Sequence, residues 1–230
     1  MLIHVGLAPM HIAVTGASGK TGSRVVEEAL ARGWTVKAIL RPNSNPPERL
    51  AGADLVRLEL SDVPALSQAL QGCDALVIAT GARPSPDLFG PLKVDALAIR
   101  AQIEACRVAG VPRVLLVSSL CSGRFWHPLN LFWLVLTWKG VGERTLAASG
   151  LQWTVVRPGG LKESEADLEA EGIRYSGADQ QESGSIPRRL VARVCLEALE
   201  TPAASGRIIE ITSATGLPQQ DLGRWLATAA

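Results

Sequence analysis

A chain of 230 residues with 23 Lys and Arg against 22 Asp and Glu carries a formal charge of +1. That balance gives neither nucleic acid nor an anionic membrane an electrostatic reason to bind. The length suits a single α/β domain over 1–230 with a sizeable core, and Cys73, Cys106, Cys121 and Cys195, with no CxxC pair or metal-spaced His, read as buried free thiols of a reducing cytoplasm.

The chain begins MLIHVGLAPM, which lacks the basic region and cleavage site of a signal peptide. Because Met10 opens MHIAV, a plausible first strand, residues 1–9 read as a dispensable extension. Short β-branched runs then alternate with helical stretches. Strands are expected near 11–15, 34–40, 54–58, 74–79, 113–118, 152–157 and 207–211, and helices near 20–32, 62–71, 91–109, 129–149, 186–200 and 218–229. Near-continuous apolar strands between amphipathic helices predict a parallel sheet covered on both faces. The fold class is therefore α/β, a Rossmann-type doubly wound sheet of about seven strands. The stretch 158–185, PGGLKESEADLEAEGIRYSGADQQESGS, is polar and long for a connection. It is either a lid or a loose loop, and its place among the motifs favours a lid. Together with 119–135 it forms the expected substrate side.

The first strand ends in 14-VTGASGKTGSRVVEEAL-30. Gly16, Gly19 and Gly22 fall directly between a strand and a helix, where a tight turn lets backbone N–H groups meet a pyrophosphate. Ala17, Ser18, Lys20 and Thr21 share that turn. A P-loop is excluded by the spacing. Where an NAD site carries an acid after the second strand, this chain has Arg41 in 38-AILRPN-43, and the next acid is Glu48. Arg41 and Lys20 can pair with a 2′-phosphate, which selects NADP(H).

The spacing GxxGxxG, with 115-LLVSSL-120 and 157-RPGGL-161, resembles the short-chain dehydrogenase/reductase superfamily. With 79-ATGARP-84, 94-VD-95, 138-WKGVGE-143 and the late stretch PRRLVARVCLEALETP, the resemblance narrows to the atypical NmrA/Tic62-like and biliverdin reductase B-like group. It spans residues 11 to about 203. The resemblance implies that Asp62 contacts the adenine amino group and that Ala79, Thr80 and Gly81 line the adenine-ribose channel. It puts Ser118 or Ser119 beside the nicotinamide, with Ser119 at the catalytic-serine position, Lys139 on the ribose hydroxyls, and Pro158 and Gly159 at the carboxamide. On the residues alone, Asp62 serves equally as a helix N-cap, and the two serines as caps of the strand end.

Many members of the superfamily use YxxxK, in which Tyr moves the substrate proton. Four residues before Lys139 stands Val135, and the one tyrosine, Tyr175, is followed four residues on by Asp179. A simple ketone or alcohol without a positioned acid loses about 10²–10⁴ in rate. Hydride delivery to a flavin, quinone or similar delocalised acceptor does not need that acid. Such a site needs a placed cofactor and a flat apolar pocket, for which Phe125, Trp126, Trp133 and Trp138 are candidate walls, while core packing accounts for most of them. His127 is a candidate proton donor, though a surface or capping role before Pro128 is the simpler reading. The expected function is an NADP(H)-dependent reductase acting on a small-molecule acceptor in the cytoplasm. The competing class is a non-catalytic NADP(H)-binding redox sensor or scaffold with KESEADLEAE (162–171) as partner surface. Monomer and homodimer both fit.

The stretch 129-LNLFWLVLTWKGVGE-143 is too short to span a bilayer. It reads as a buried active-site helix in which Glu143, one turn on, steadies Lys139.

Overall fold

The structure is a computed structural model describing residues 9–81, 89–124, 126, 128–131 and 134–228. Its parallel strands run β1 (His11–Thr15), β2 (Thr35–Leu40), β3 (Asp54–Arg57), β4 (Ala75–Ile78), β5 (Arg113–Val117) and β6 (Gln152–Pro158). β7 (Gly160–Lys162), β8 (Glu171–Ser176) and β9 (Ser185–Pro187) follow, and β10 (Arg207–Thr215) comes last. The main sheet has eight strands in the order β3-β2-β1-β4-β5-β6-β10-β8, and β7 pairs with β9 in a separate ribbon. Every pairing is parallel except β10 with β8.

Strand alternation sorts the core into two layers. Ile12, Val14, Val77, Leu115, Val117 and Val156 face α1 (Lys20–Ala31), α6 (Arg188–Glu200) and α7 (Leu222–Thr228). Ala13, Leu76, Ile78, Val114, Leu116 and Val155 face α2 (Val63–Leu70), α4 (Ala98–Ala109) and α5 (Val135–Ala147). Both faces at the centre of the sheet are thus dry, which is why the central strands read as continuous apolar runs rather than as alternating ones. Each fully buried Leu or Ile contributes roughly 1.5–3 kcal/mol.

The doubly wound α/β architecture follows the sequence reading, with strand bounds within a few residues. Three elements differ. The segment 158–185 contains β7, β8 and β9, and β8 completes the sheet edge. Its EGIRYS carries Ile173 and Tyr175 at period two against the α6–α7 layer, a pattern masked by the flanking acids. The helix expected over 129–149 begins only at Val135, after a 3₁₀ turn at Pro128–Leu131. Leu134 adopts a left-handed φ of 57° there. The Asn130 side chain accepts the N–H groups of Leu136 and Thr137 at 3.0 and 3.3 Å, capping α5. Finally, the helix expected over 91–109 is three pieces: α3 (Gly90–Leu92), a π-helical turn at Lys93–Leu97, and α4.

Among the described residues, no helix is long and apolar enough to cross a membrane. The four cysteines are free and buried, and burial pushes the Cys106 and Cys195 thiols up to about 12. Those two remain protonated and inert near neutrality.

Candidate cofactor site

The glycine turn forms because nothing larger than hydrogen fits. Gly16 has φ +71°, and a Cβ there would lie 2.6 Å from the Ala79 carbonyl oxygen. A Cβ on Gly22 would strike the Gly16 carbonyl, and the Gly19 N–H donates to that same oxygen at 2.8 Å. The turn thereby brings α1 hard against β1 and β4. The first-turn N–H groups of α1 have no intrahelical acceptors and point where an anion would bind. No acidic side chain stands in that first turn.

From the turn a cleft of about 720 Å³ runs along the carboxyl ends of the strands. It is bounded by Gly16, Ser18 and Gly19, by Leu40 and Arg41 after β2, by Glu59, Leu60 and Ser61 after β3, by Ala79, Thr80 and Gly81 after β4, and by Lys93, Val94 and Leu97 of the π turn. This is the crevice at the strand ends where open α/β sheets bind ligands. Arg41 is exposed on its wall. Its loop is held by Arg57, which donates from Nη1 to the carbonyls of Pro42 and Ser44 at 3.0 and 2.8 Å.

The other expected residues fall as follows. Ala17 is fully buried beneath the turn. Lys20 extends to Glu163, with Nζ 3.0 Å from the carboxylate, and the Thr21 hydroxyl accepts from Arg188 Nη1 at 2.9 Å. Asp62 caps α2 by accepting the Ala65 N–H at 3.0 Å, the capping role among its two readings. Beyond β5, the N–H groups of Ser118 and Leu120 donate to the carbonyls of Val156 and Pro158, so the SSL stretch continues along β6. Pro158 ends β6, and the Gly159 N–H donates to the Ile211 carbonyl. A Cβ on Gly159 would lie 2.6 Å from the Gly184 carbonyl oxygen.

The two serines differ. Ser119 Oγ donates to the Leu120 carbonyl at 3.1 Å, whereas Ser118 Oγ is buried with no hydrogen-bond partner, as is Thr80 Oγ1. Thr80 and Ser118 lie two residues beyond Ile78 and Leu116, the last pair joining β4 to β5. Two orphaned hydroxyls at adjacent strand ends fit a ligand that brings hydroxyl or amide groups of its own.

Lys139 is held differently from expectation. Its Nζ lies 2.9 Å from Asp95 Oδ1 and borders Gly81, where a Cβ would lie 3.7 Å away. Glu143 does not steady it. That carboxylate turns under the helix to Arg157, because a buried guanidinium on β6 is the closer cation. The sequence named the VD pair without a role for Asp95. Its signal is a buried charge on an otherwise apolar helix face facing WKGVGE. Glu59, Leu60 and the π turn were also missed, because their approach to the cleft depends on how chain ends converge.

Val135, at the first position of α5, packs with Leu136 against Leu120 and Cys121. Tyr175 sits on the opposite face of the sheet, in the α6–α7 layer, stacked on Trp225 at 5.7 Å. Burial raises the pKa of its phenol. Trp126 is 93% exposed, Trp138 is half-buried, and Phe125, His127 and Trp133 lie outside the described residues.

The profile of a family described as NAD(P)H-binding matches residues 16–202. A chloroplast protein of Arabidopsis thaliana of uncharacterised role is 36% identical over 221 residues, covering 90% of this chain and 78% of the relative. TIC 62 of pea is 32% identical across 89% of this chain and 43% of its own length. Sanguinarine reductase of Eschscholzia californica is 28% identical, with 88% of each chain covered. Among solved structures, a putative NAD-dependent epimerase/dehydratase of Bacillus halodurans superposes with a TM-score of 0.82 at 25% identity, over 95% of this chain and 99% of the other. With its glycine turn, strand-end cleft and oxidoreductase-like fold, this chain belongs to the NAD(P)H-binding family, in the atypical short-chain dehydrogenase/reductase group of NmrA- and Tic62-like proteins.

Proposed function

We propose that the protein is an NADPH-dependent reductase whose acceptor delocalises the incoming charge, such as a flavin, a quinone or a related conjugated small molecule. The observation that carries this is Val135. The residue four before Lys139 is an aliphatic side chain packed against Leu120 and Cys121, and the one tyrosine lies across the sheet. The lysine and the glycine turn remain while the expected acid does not, which favours hydride transfer without concerted protonation of an alkoxide. The sanguinarine reductase relationship supports the reductase class.

In this reading the α1 N-terminus takes the pyrophosphate, and Arg41 pairs with the 2′-phosphate from the wall of the cleft. Lys139 meets the nicotinamide-ribose hydroxyls. Thr80 and Ser118 offer their unpartnered hydroxyls beside it, Ser118 being better placed than Ser119, whose hydroxyl is already engaged. Bound NADPH supplies the hydride. The protein's own contribution is placement and exclusion of water, and the acceptor takes its proton from solvent afterwards.

The acidic 162–171 segment favours the reductase over the scaffold. Glu163 pairs with Lys20, Arg24 and Arg188, and Glu165 with Arg24, Arg49 and Arg189, so these carboxylates are spent within the molecule. The test is steady-state oxidation of NADPH with flavin, dichlorophenolindophenol or a quinone, against the rate without enzyme. Turnover above that rate supports the reductase. Tight NADPH binding with no turnover on all three overturns it in favour of a redox sensor.

A further inference from the structure

We infer that Asp95 is a positioning residue that fixes Lys139 for the cofactor, and that the π-helical turn serves to aim it. The inference rests on the reading that Lys139 faces bound NADPH. Asp95 is 1% exposed and its Oδ1 lies 2.9 Å from Lys139 Nζ. A lysine ammonium rides on a flexible four-carbon stem, and confining it costs side-chain rotamer freedom. A carboxylate fixed inside a helix confines it before the cofactor arrives.

The backbone is shaped around this pair. The wider turn at Lys93–Leu97 places Asp95 inward, and such turns gather at functional sites. Opposite it, Gly142 of α5 leaves no room for a methyl group, since a Cβ there would collide with the Asp95 carbonyl and lie 2.6 Å from Ile99 Cδ1. Gly140 does the same against Gly123, with a Cβ 2.7 Å from the Gly123 Cα. Lys139 and Gly142, three residues apart, share one face of α5. One glycine lets the helix approach, and the lysine makes the contact that approach permits. The ammonium thus stands between a buried anion and Gly81 on the cleft wall.

The experiment compares wild type, Lys139→Gln, Asp95→Asn, the double variant and Asp95→Glu. It measures NADPH affinity by quenching of tryptophan fluorescence, and Tm without cofactor. Lys139→Gln is expected to weaken NADPH binding roughly 10–100-fold. Asp95→Asn should weaken it about 10-fold, and the double variant no more than Lys139→Gln alone. Asp95→Glu keeps the charge but moves it by one methylene, and should weaken binding about threefold while Tm holds, a readout that survives if Asp95→Asn does not fold. If Lys139→Gln binds NADPH as wild type does, the reading of Lys139 as a cofactor ligand fails. If Lys139→Gln is weakened but both Asp95 variants bind with wild-type affinity, or the two losses add in full, Asp95 is only a structural partner and the inference is overturned.

Discussion

Arg157 of β6 grips Glu143 of α5 along one edge, with Nε at 3.1 and 3.2 Å from the two carboxylate oxygens and Nη2 at 2.7 Å from Oε2. Its remaining Nη1 reaches Asp179 at 2.9 Å and Glu210 at 3.3 Å. Glu210, fully buried, also accepts the N–H groups of Asp179, Gln180 and Gln181. Burial opposes the Arg157 charge, but Glu143 and Asp179 outweigh it and raise the guanidinium's pKa. The cluster ties α5, β6, β10 and the 177–182 loop to one cation.

Arg157→Met should therefore leave buried carboxylates without a counter-ion and cost about 3–5 kcal/mol. Urea unfolding at neutral pH reads the loss. Adding Glu143→Gln should recover part of it, since fewer uncompensated charges then remain buried.

Gly142→Ala tests the contact between α5 and the π turn. An added methyl group has backbone on one side and Ile99 on the other. Overpacking of that kind costs about 1–3 kcal/mol. A thermal melt should show a Tm lowered by several degrees, and fluorescence titration should show weaker NADPH binding. Gly150→Ala, with φ +78° and open space around it, controls for backbone strain alone.

The ion pairs at Glu163, Glu165 and Glu171 make stability depend on pH in one direction. Arg188 and Lys20 hold the Glu163 carboxyl below the usual range. Burial works against ionisation of Glu165 and Glu171, but Arg24 and Arg189 in the first case, and Lys162 and Ser213 in the second, lower both. A carboxyl depressed on folding stabilises the fold above its unfolded pKa, and that stability is lost as pH falls through the folded value. Unfolding free energy should thus fall on acidification below about pH 5. A Glu163→Gln/Glu165→Gln protein should show a shallower fall. An equal slope in both proteins would assign the acid sensitivity elsewhere.

Arg41→Ala separates the two nicotinamide cofactors. Losing a charge-assisted contact to a 2′-phosphate should weaken NADPH roughly 10–100-fold and leave NADH unchanged. Equal effects on both would remove Arg41 from phosphate recognition.

Val135→Tyr restores the YxxxK spacing at the start of α5. A gain of alcohol or ketone turnover would show that the missing phenol alone limits that chemistry. No gain would mean that Val135 is not aligned with the family tyrosine, or that the surroundings of residue 135 against Leu120 and Cys121 do not form the expected pocket.

Much of this was legible in the sequence because it is local. GASGKTG declares its turn through glycines whose neighbours are a strand and a helix, and the buried strands declare themselves as apolar runs. What resisted reading is non-local. Asp95 finds Lys139 across 44 positions, and Glu143 finds Arg157 rather than the lysine one turn away. A helix surface offers its i+4 neighbour as a partner by default, and only tertiary packing decides whether a buried cation lies closer. β8 escaped for a related reason. Its two inward residues gain meaning only beside β10, which arrives some thirty residues later. The onset of α5 escaped because Asn130, one polar side chain in an apolar run, ends the pattern by capping.

The place of β10 has a consequence for biosynthesis. This last strand lies between β6 and β8, parallel to one and antiparallel to the other. During translation β6 and β8 must each wait with a bare hydrogen-bonding edge until residues 207–215 clear the ribosome. A nascent chain halted before that point leaves the β6 edge of its sheet bare, the kind of edge that recruits foreign strands. Pairing of β10 with both neighbours is what joins β8 to the sheet. That long-range pairing should slow refolding, and a synthetic β10 peptide added to a chain truncated before Arg207 is the natural competitor for the bare β6 edge.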